Sequence, residues 1–186
     1  MSGIAAALAD AGLRAAGVRR VGGGDINDAY AVDLESGGRA FVKTRAGAAP
    51  GEYAGEAAGL AWLAEPGALR GPRVLAASDA LLALEWIEEG SLAAAGEEEL
   101  GRGLAAVHAA GAQRFGAVAR GAPPETRIGP LLLPNDNCPD WPAFYAERRV
   151  RPLLAQARER GALSAEGARA VERVCERLPE LAGPPE

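Results

Sequence analysis

Two features of the sequence could together bind phosphate: a run of glycines and a single lysine. The glycine-rich run consists of Gly22, Gly23, Gly24, Asp25, Ile26 and Asn27. Lys43 is the only lysine among 20 basic residues, and it ends the strand-like segment 40–43. Glycines let backbone N–H groups approach phosphate oxygens, and a lysine ammonium is a compact cation that neutralises phosphate charge. The pattern therefore predicts a phosphate-binding turn followed by a lysine that reaches the same ligand.

Short strands must position these residues. The first half of the chain contains five strand-like segments, at residues 18–21, 29–34, 39–43, 73–77 and 81–87. Gly37 and Gly38 suit the positive-φ positions of a tight hairpin between the second and third strands. Helices are predicted over residues 2–16, where Gly17 ends the helix, and over residues 52–65. We therefore predict a five-stranded antiparallel sheet with one helix inserted between its third and fourth strands.

The second half of the chain is predicted to be mainly helical. A polar connector at residues 88–91 leads to helices over residues 97–110, 141–160 and 164–178, the last with Ser164 as its N-cap. Residues 111–140 are rich in Pro and Gly, and they show no regular pattern. We expect two domains, a nucleotide-binding lobe at residues 1–87 and the beginning of a helical lobe at residues 88–186.

The order of these features is that of a kinase small lobe followed by part of a large lobe, an α+β fold. In such a fold the lysine holds nucleotide phosphates, and a helix glutamate keeps the lysine extended. Glu52 and Glu56 are both candidates, since they lie one helical turn apart and face similarly. The alternatives are that both are solvated helix charges and that the glycine run is a flexible turn. The run departs from the GxGxxG pattern, because Asn27 stands where the last glycine would be.

Further segments extend the pattern along most of the chain. They are residues 23–27, 29–30, 41–43, 56–60, 84–87, 100–108, 115–116, 128–129, 134–135 and 141–149. From about residue 17 onward, this ordered set closely resembles the fructosamine (ketosamine) kinase family. That family is similar in fold to aminoglycoside phosphotransferases and choline kinases.

The resemblance implies a reaction and a set of site residues. Members of the family use ATP and Mg²⁺ to phosphorylate the 3-hydroxyl of ketosamines, which destabilises the sugar adduct and permits deglycation. By this resemblance Lys43 holds the phosphates, Glu56 pairs with it, and the glycine run covers the nucleotide. Glu85, Trp86 and Ile87 are expected to form the hinge that offers backbone groups to adenine, although Trp86 also suits a core position.

The family's catalytic His-Gly-Asp loop is not found in this sequence. His108 is the only histidine, and Ala109 and Ala110 follow it, so we expect a packed or hydrogen-bonded helix histidine. The sequence stops where the resemblance places the start of that loop. We therefore expect no catalytic residue and no metal ligand here, with the Mg²⁺ ligands in the segment that is missing. The 186-residue chain alone is expected to be inactive, and its exposed apolar helix faces would favour self-association.

Composition narrows the choice of partners. The net charge of −5 argues against nucleic-acid binding, and no run of 18 apolar residues predicts a membrane span. Cys138 and Cys175 are expected to be free thiols of a cytoplasmic protein. The expected partners are ATP and a ketosamine or glycated amine. Two alternatives remain: a non-catalytic nucleotide-binding or interaction module, and a kinase of another small alcohol, such as an aminoglycoside, choline or a homoserine-like acceptor.

Overall fold

A computed structural model describes residues 2–22, 26–129, 131–138 and 140–183. The chain forms two compact units. The first comprises Met1–Ala110 with Ala119–Pro123, and the second comprises Gly111–Val118 with Pro124–Glu186. The domain division expected from the sequence, at residues 87 and 88, stays a prediction.

A five-stranded antiparallel sheet forms the centre of the first unit. Its strands are β1 (Ala15–Val21), β2 (Asp28–Leu34), β3 (Arg39–Thr44), β4 (Val74–Ala77) and β5 (Leu81–Glu85). They lie in the order β1-β2-β3-β5-β4, and every neighbouring pair is antiparallel. Helix α2 (Glu52–Ala64) lies between β3 and β4 in the chain. The predicted α+β architecture, with one helix inserted after the third strand, is confirmed.

Successive strand residues point to opposite sides of this sheet, and both sides carry buried apolar side chains. On one face, Leu8 of helix α1 (Ser2–Asp10) is fully buried against a cluster of sheet residues. That cluster consists of Val32, Ala40, Val42, Leu81 and Ala83. On the other face, Tyr53 of α2 packs with Leu82 and Leu84. Each fully buried Val, Leu or aromatic side chain of this kind contributes about 1.5–3 kcal/mol of transfer free energy.

The β2–β3 hairpin fixes the register of the lysine strand. Gly37 and Gly38 adopt φ values of 90° and 81°, which favour glycine, and they form the predicted turn. The resulting register places Lys43 opposite Ala29 of β2 and opposite Leu82 of β5. Lys43 therefore lies in the interior of the sheet rather than on an edge strand.

The N-terminal helix is shorter than the sequence predicted. Helix α1 ends at Asp10, and Gly12 follows with a φ of 82°, a left-handed conformation that stops the helix. Strand β1 begins at Ala15, so Gly17 lies inside a strand and does not end the helix. The register with β2 is irregular between Ala15 and Gly17. The prediction of a helix over residues 2–16 was therefore wrong beyond Asp10, because alanine-rich composition favours a helix without fixing its end.

The second unit is built from one long helical segment and a final helix. Helix α4 (Trp141–Tyr145), a π-helical turn (Ala146–Val150) and helix α5 (Arg151–Glu159) follow one another directly, and α6 (Ala165–Leu181) completes the unit. Ser164 accepts a hydrogen bond from the N–H of Gly167 at 3.0 Å, which confirms the predicted N-cap. Within the described ranges, no helix has both the length and the apolar character of a membrane span.

The Pro- and Gly-rich segment contains a small hairpin that the sequence analysis missed. Strands β6 (Thr126–Ile128) and β7 (Leu131–Leu133) pair antiparallel, and Gly129 between them has a φ of 55°. Three-residue strands are too short to show an alternating pattern, so the prediction of no regular structure over residues 111–140 was wrong there.

Helix α3 (Ala94–Ala110) packs closely against the turn that follows α2, and a glycine makes this approach possible. A Cβ atom added at Gly103 would lie 2.3 Å from Leu69 Cδ2 and 2.9 Å from the carbonyl oxygen of Ala68. Gly101, on the same helix, has nothing within 4 Å of the equivalent position.

The two helix glycines give a matched test of this packing. Gly103→Ala should lower the free energy of unfolding by about 1–3 kcal/mol, because the added methyl group clashes with backbone. Gly101→Ala should raise it by about 0.5–1 kcal/mol through helix propensity alone. Urea unfolding of both variants measures the difference. Equal shifts of the same sign in the two variants would contradict the packing.

Candidate nucleotide-binding site

The lysine at the end of β3 is held by a glutamate of α2. Phe41 and Lys43 project to the sheet face that α2 covers, whereas the intervening Val42 is buried on the opposite face. The ammonium Nζ of Lys43 lies 2.5 Å from Oε2 of Glu56. The exposed fractions of the two side chains are 19% and 38%. An ion pair this accessible contributes about 1 kcal/mol or less to stability, so its main effect is to fix the direction of the lysine.

The competing glutamate has a different partner. Both carboxylate oxygens of Glu52 accept hydrogen bonds from Nη2 of Arg45, at 2.6 and 2.5 Å. Oε2 of Glu52 also accepts the N–H of Ala49 at 3.1 Å. Lys43 and Arg45 therefore meet Glu56 and Glu52 in two parallel ion pairs, which join the end of β3 to the first two turns of α2. Lys43 and Arg45 are spaced i, i+2, and Glu52 and Glu56 are spaced i, i+4. These matching spacings could have indicated that Arg45 pairs with Glu52, which the sequence analysis missed.

A buried tyrosine lies between these two ion pairs. Tyr53 is 1% exposed, and its hydroxyl donates to Oδ1 of Asn27 at 3.1 Å. The Nζ atom of Lys43 lies 6.0 Å from the centre of the tyrosine ring. Burial raises the pKa of the Tyr53 phenol, and the nearby charge of Glu52 raises it further. The sequence analysis placed Tyr53 on the apolar face of the helix but assigned it no part in the site.

The glycine-rich run is described only at its two ends. Gly22 and Ile26 are exposed, and Asn27 is half-buried beside Tyr53. Gly23, Gly24 and Asp25 lie outside the described residues. Phosphate binding by this run stays a prediction.

The predicted hinge residues lie at and just after the end of β5, and they differ in whether their backbone N–H groups are already hydrogen-bonded. The N–H of Glu85 donates to the carbonyl of Arg73 at 2.8 Å, and the N–H of Trp86 donates to the carbonyl of Arg39 at 3.2 Å. Ile87 is 52% exposed, and none of the described residues accepts a hydrogen bond from its N–H. Of the three backbone donors, that of Ile87 is thus the one left for a ligand.

The Glu85 carboxylate is bound by two arginines. It accepts from Arg70 at 2.8 Å and from the Arg73 guanidinium at 3.2 Å. The backbone N–H of Arg73 also reaches this carboxylate, and that contact is the first of several that hold the pKa of Glu85 below its ordinary value. The Arg39 guanidinium lies 5.4 Å from the centre of the Trp86 ring. These side chains surround the predicted hinge, and the hinge assignment itself stays a prediction.

His108 is exposed in the last turn of α3. The expectation that it would be packed or hydrogen-bonded was wrong with respect to packing. Leu104, one turn earlier on α3, is exposed as well, which places His108 on an open side of the helix.

The second unit contains an aromatic cluster at the start of its long helical segment. The ring centres of Trp141 and Tyr145 lie 5.0 Å apart, and those of Phe115 and Phe144 lie 6.2 Å apart. The Arg149 guanidinium carbon lies 4.4 Å from the centre of the Phe144 ring. This cluster ties residues 115–116 to the segment 141–149.

Arg149 also fixes the loop before that segment. It donates to the carbonyl of Pro134 at 2.9 Å and to Oδ1 of Asn135 at 2.6 Å. Asn135 in turn donates to the carbonyl of Gly116 at 2.8 Å. Three sequence segments that lie far apart in the chain are thus held by one connected set of hydrogen bonds.

Comparison with known families identifies the chain. The sequence profile of the family described as Fructosamine kinase matches residues 3–185. The chain belongs to the fructosamine kinase family. The family assignment made from the sequence is therefore confirmed.

Curated relatives and a solved structure agree with this assignment. A probable ketoamine kinase of Thermus thermophilus is 39% identical over 150 residues, which are 80% of this chain and 52% of the relative. The chloroplastic protein-ribulosamine 3-kinase of Arabidopsis thaliana is 33% identical over 75% of this chain and 43% of its own length. The crystal structure of a candidate fructosamine-3-kinase from Thermobifida fusca superposes with a TM-score of 0.85 at 37% identity. Its likeness confirms the kinase-like fold of this fructosamine kinase family member.

The chain is shorter than these members of the fructosamine kinase family. It spans about half the length of the curated relatives that it matches. It is covered completely by the Thermobifida fusca structure, and it covers 64% of that protein.

The partly buried Arg45–Glu52 ion pair beside the candidate site can be tested against a surface pair. Glu52→Gln should lower the free energy of unfolding by about 1–3 kcal/mol, because the Arg45 guanidinium is only 22% exposed and loses its charged partner. Glu98→Gln, which breaks an exposed pair with Arg102 on α3, should change it by about 0.5 kcal/mol or less. Urea unfolding measures both variants. A loss no larger for Glu52→Gln than for Glu98→Gln would contradict the anchoring of α2.

Proposed function

We propose that this chain carries the nucleotide-binding part of an ATP-dependent kinase whose acceptor is a ketosamine, the adduct of a sugar and an amine. The observation that carries the proposal is the Lys43–Glu56 ion pair between β3 and α2, in a chain of the fructosamine kinase family. The relatives named ketoamine kinase and protein-ribulosamine 3-kinase support the acceptor class.

The charge and hydrogen-bonding capacity of Lys43 fit a nucleoside triphosphate. An ammonium carries three N–H donors, and the contact with Glu56 uses one of them. The other donors remain for oxygens of the phosphates. Because the lysine side chain is only 19% exposed, its attraction to phosphate is screened less than at an open surface. Lys43 is thus proposed to bind and orient the phosphates, with Glu56 holding it extended.

The hinge is proposed to bind the adenine edge through its backbone. The N–H of Ile87 is the donor that this role requires. Glu85 would contribute only backbone atoms, since its carboxylate is held by Arg70 and Arg73. Trp86 would support the hinge from beneath Arg39. The glycine-rich run, residues 22–27, is proposed to cover the phosphates with its N–H groups.

Mg²⁺ is proposed to accompany ATP, where it would neutralise part of the phosphate charge. Among the residues that the structure describes, no group of three or more His, Cys, Asp or Glu side chains could hold a metal ion. The proposal therefore gives the metal no ligand in this part of the chain. It also gives no catalytic role to His108, because no acid follows it along α3.

The proposed reaction transfers the terminal phosphoryl group to the 3-hydroxyl of the ketosamine, which loses its proton as ADP is released. Phosphorylation at this position destabilises the adduct and allows the free amine to be recovered. Kinases of other small alcohols share the fold, but the names of the relatives favour a ketosamine over an aminoglycoside or choline. The membership of the chain in a family of kinases favours a kinase over a purely non-catalytic module.

Replacement of the lysine tests its role in the complete enzyme. Lys43→Ala should lower turnover by roughly a hundredfold or more, since one preorganised charge contact to the phosphates is lost. Lys43→Arg should recover little of it, because the planar guanidinium does not replace a compact ammonium. Initial rates with ATP and a ketosamine measure both variants. Near-normal rates in Lys43→Ala would contradict the assignment.

The 186-residue chain by itself should bind ATP weakly and form no product. The proposal assigns it the nucleotide site but neither a base nor a metal ligand, and phosphoryl transfer needs both. The measurement is ATP-dependent phosphorylation of a ketosamine by the purified chain. Product that scales with chain concentration and vanishes in Lys43→Ala would show that the chain contains a complete active site, contrary to this expectation.

A further inference from the structure

We propose that Tyr53 is a positioning residue that couples the end of the glycine-rich run to the Lys43–Glu56 ion pair. This inference rests on the proposed function, because it adds Tyr53 to the same nucleotide site. The Tyr53 hydroxyl would contact neither phosphate nor acceptor, but it would set the position of groups that do.

The contacts of Tyr53 reach three elements of the site. Its backbone belongs to the first turn of α2, one turn before Glu56. Its hydroxyl donates to Asn27, the last residue of the glycine-rich run and the one that immediately precedes β2. The Lys43 ammonium lies 6.0 Å from its ring centre, at the outer limit of a cation–π contact. A shift of this one side chain would therefore displace Asn27, Lys43 and the first turn of α2.

The hydroxyl is the informative part of this side chain. The ring packs with Leu82 and Leu84, and a phenylalanine would fill that space equally well. A buried phenolic oxygen requires a hydrogen-bond partner, and here the partner is the Asn27 side chain. Since burial raises the pKa of the phenol, the hydroxyl keeps its proton and remains a donor near neutral pH. It therefore holds Asn27 by a directional contact that packing of the ring alone does not supply.

The adjacent ion pair keeps Tyr53 in place. Glu52, its neighbour in the chain, is bound by Arg45 and by the N–H of Ala49. The first turn of α2 is thus fixed to the end of β3, and the tyrosine hydroxyl has a defined position from which to hold Asn27.

A double-mutant cycle on the 186-residue chain tests the coupling. Tyr53→Phe and Asn27→Ala should each weaken ATP binding about five- to tenfold, the effect of one lost hydrogen bond. The double variant should be no weaker than the weaker single variant, because both changes remove the same contact. Adenosine, which lacks the phosphates, should bind all variants equally. Isothermal titration with ATP and with adenosine measures the affinities.

Tyr30→Phe is the matched control, since it removes a hydroxyl from β2 of the same sheet. It should leave the affinities for both ligands unchanged. Thermal unfolding of each variant establishes that it is folded, and Asn27→Ala keeps the test available if Tyr53→Phe does not fold. An ATP affinity within twofold of the unmodified chain in Tyr53→Phe would overturn the proposal. Additive effects in the double variant, or equal losses for ATP and adenosine, would overturn it as well.

A second readout separates this inference from the proposed function. Because Lys43 is the only lysine, ¹⁵N-lysine labelling gives a single backbone amide signal in the NMR spectrum. Asn27→Ala should shift this signal in the unmodified background and shift it by less than half as much in Tyr53→Phe. If the unmodified chain binds no ATP, the proposed function fails, whereas this dependence would still support the coupling. Equal shifts in both backgrounds would overturn the coupling, whether or not ATP binds.

Discussion

An ammonium at the end of a strand points in one direction only if a fixed carboxylate holds it there. In this protein Glu56 holds Lys43, and the contact joins the insertion helix to the lysine strand at 2.5 Å. Because the pair is partly exposed, it adds little to stability, and the packing around it must supply the rigidity. Strand β3, helix α2 and the residues just before β2 therefore act together to hold this one ion pair in place.

The rigidity comes from a sheet that is apolar on both faces. Leu81 and Leu82 of β5 are fully buried on opposite sides, one in the cluster with α1 and the other in the cluster with α2. Strand β5 pairs with β3, so the segment that carries Lys43 lies against one of the most deeply buried strands of the unit. Packing on both faces fixes the strand register, because a one-residue slip would exchange the two faces.

Much of this frame follows from local sequence patterns. Five strand-like segments and the Gly37–Gly38 turn predicted the sheet, and helical spacing predicted α2 with its two candidate glutamates. The family resemblance favoured Glu56 over Glu52 as the partner of Lys43, and the structure pairs those two residues. The contacts of Arg45 and Tyr53 depend on how α2 lies across β3, which no local pattern encodes. The end of α1 and the hairpin at residues 126–133 were missed because the local signal was weak in both places. Alanine-rich composition favoured a longer helix in the first case, and Pro- and Gly-rich composition favoured a loop in the second.

The central claim is that Lys43 lies beside the phosphates of a bound nucleotide. An ATP analogue with an acyl phosphate transfers its acyl group to a lysine at that position, and this chain has only one lysine. Intact mass with peptide mapping should show one acyl group on Lys43, and excess ATP should suppress it. Labelling of Lys43 that ATP does not suppress, or labelling confined to the N-terminal amine, would contradict the account.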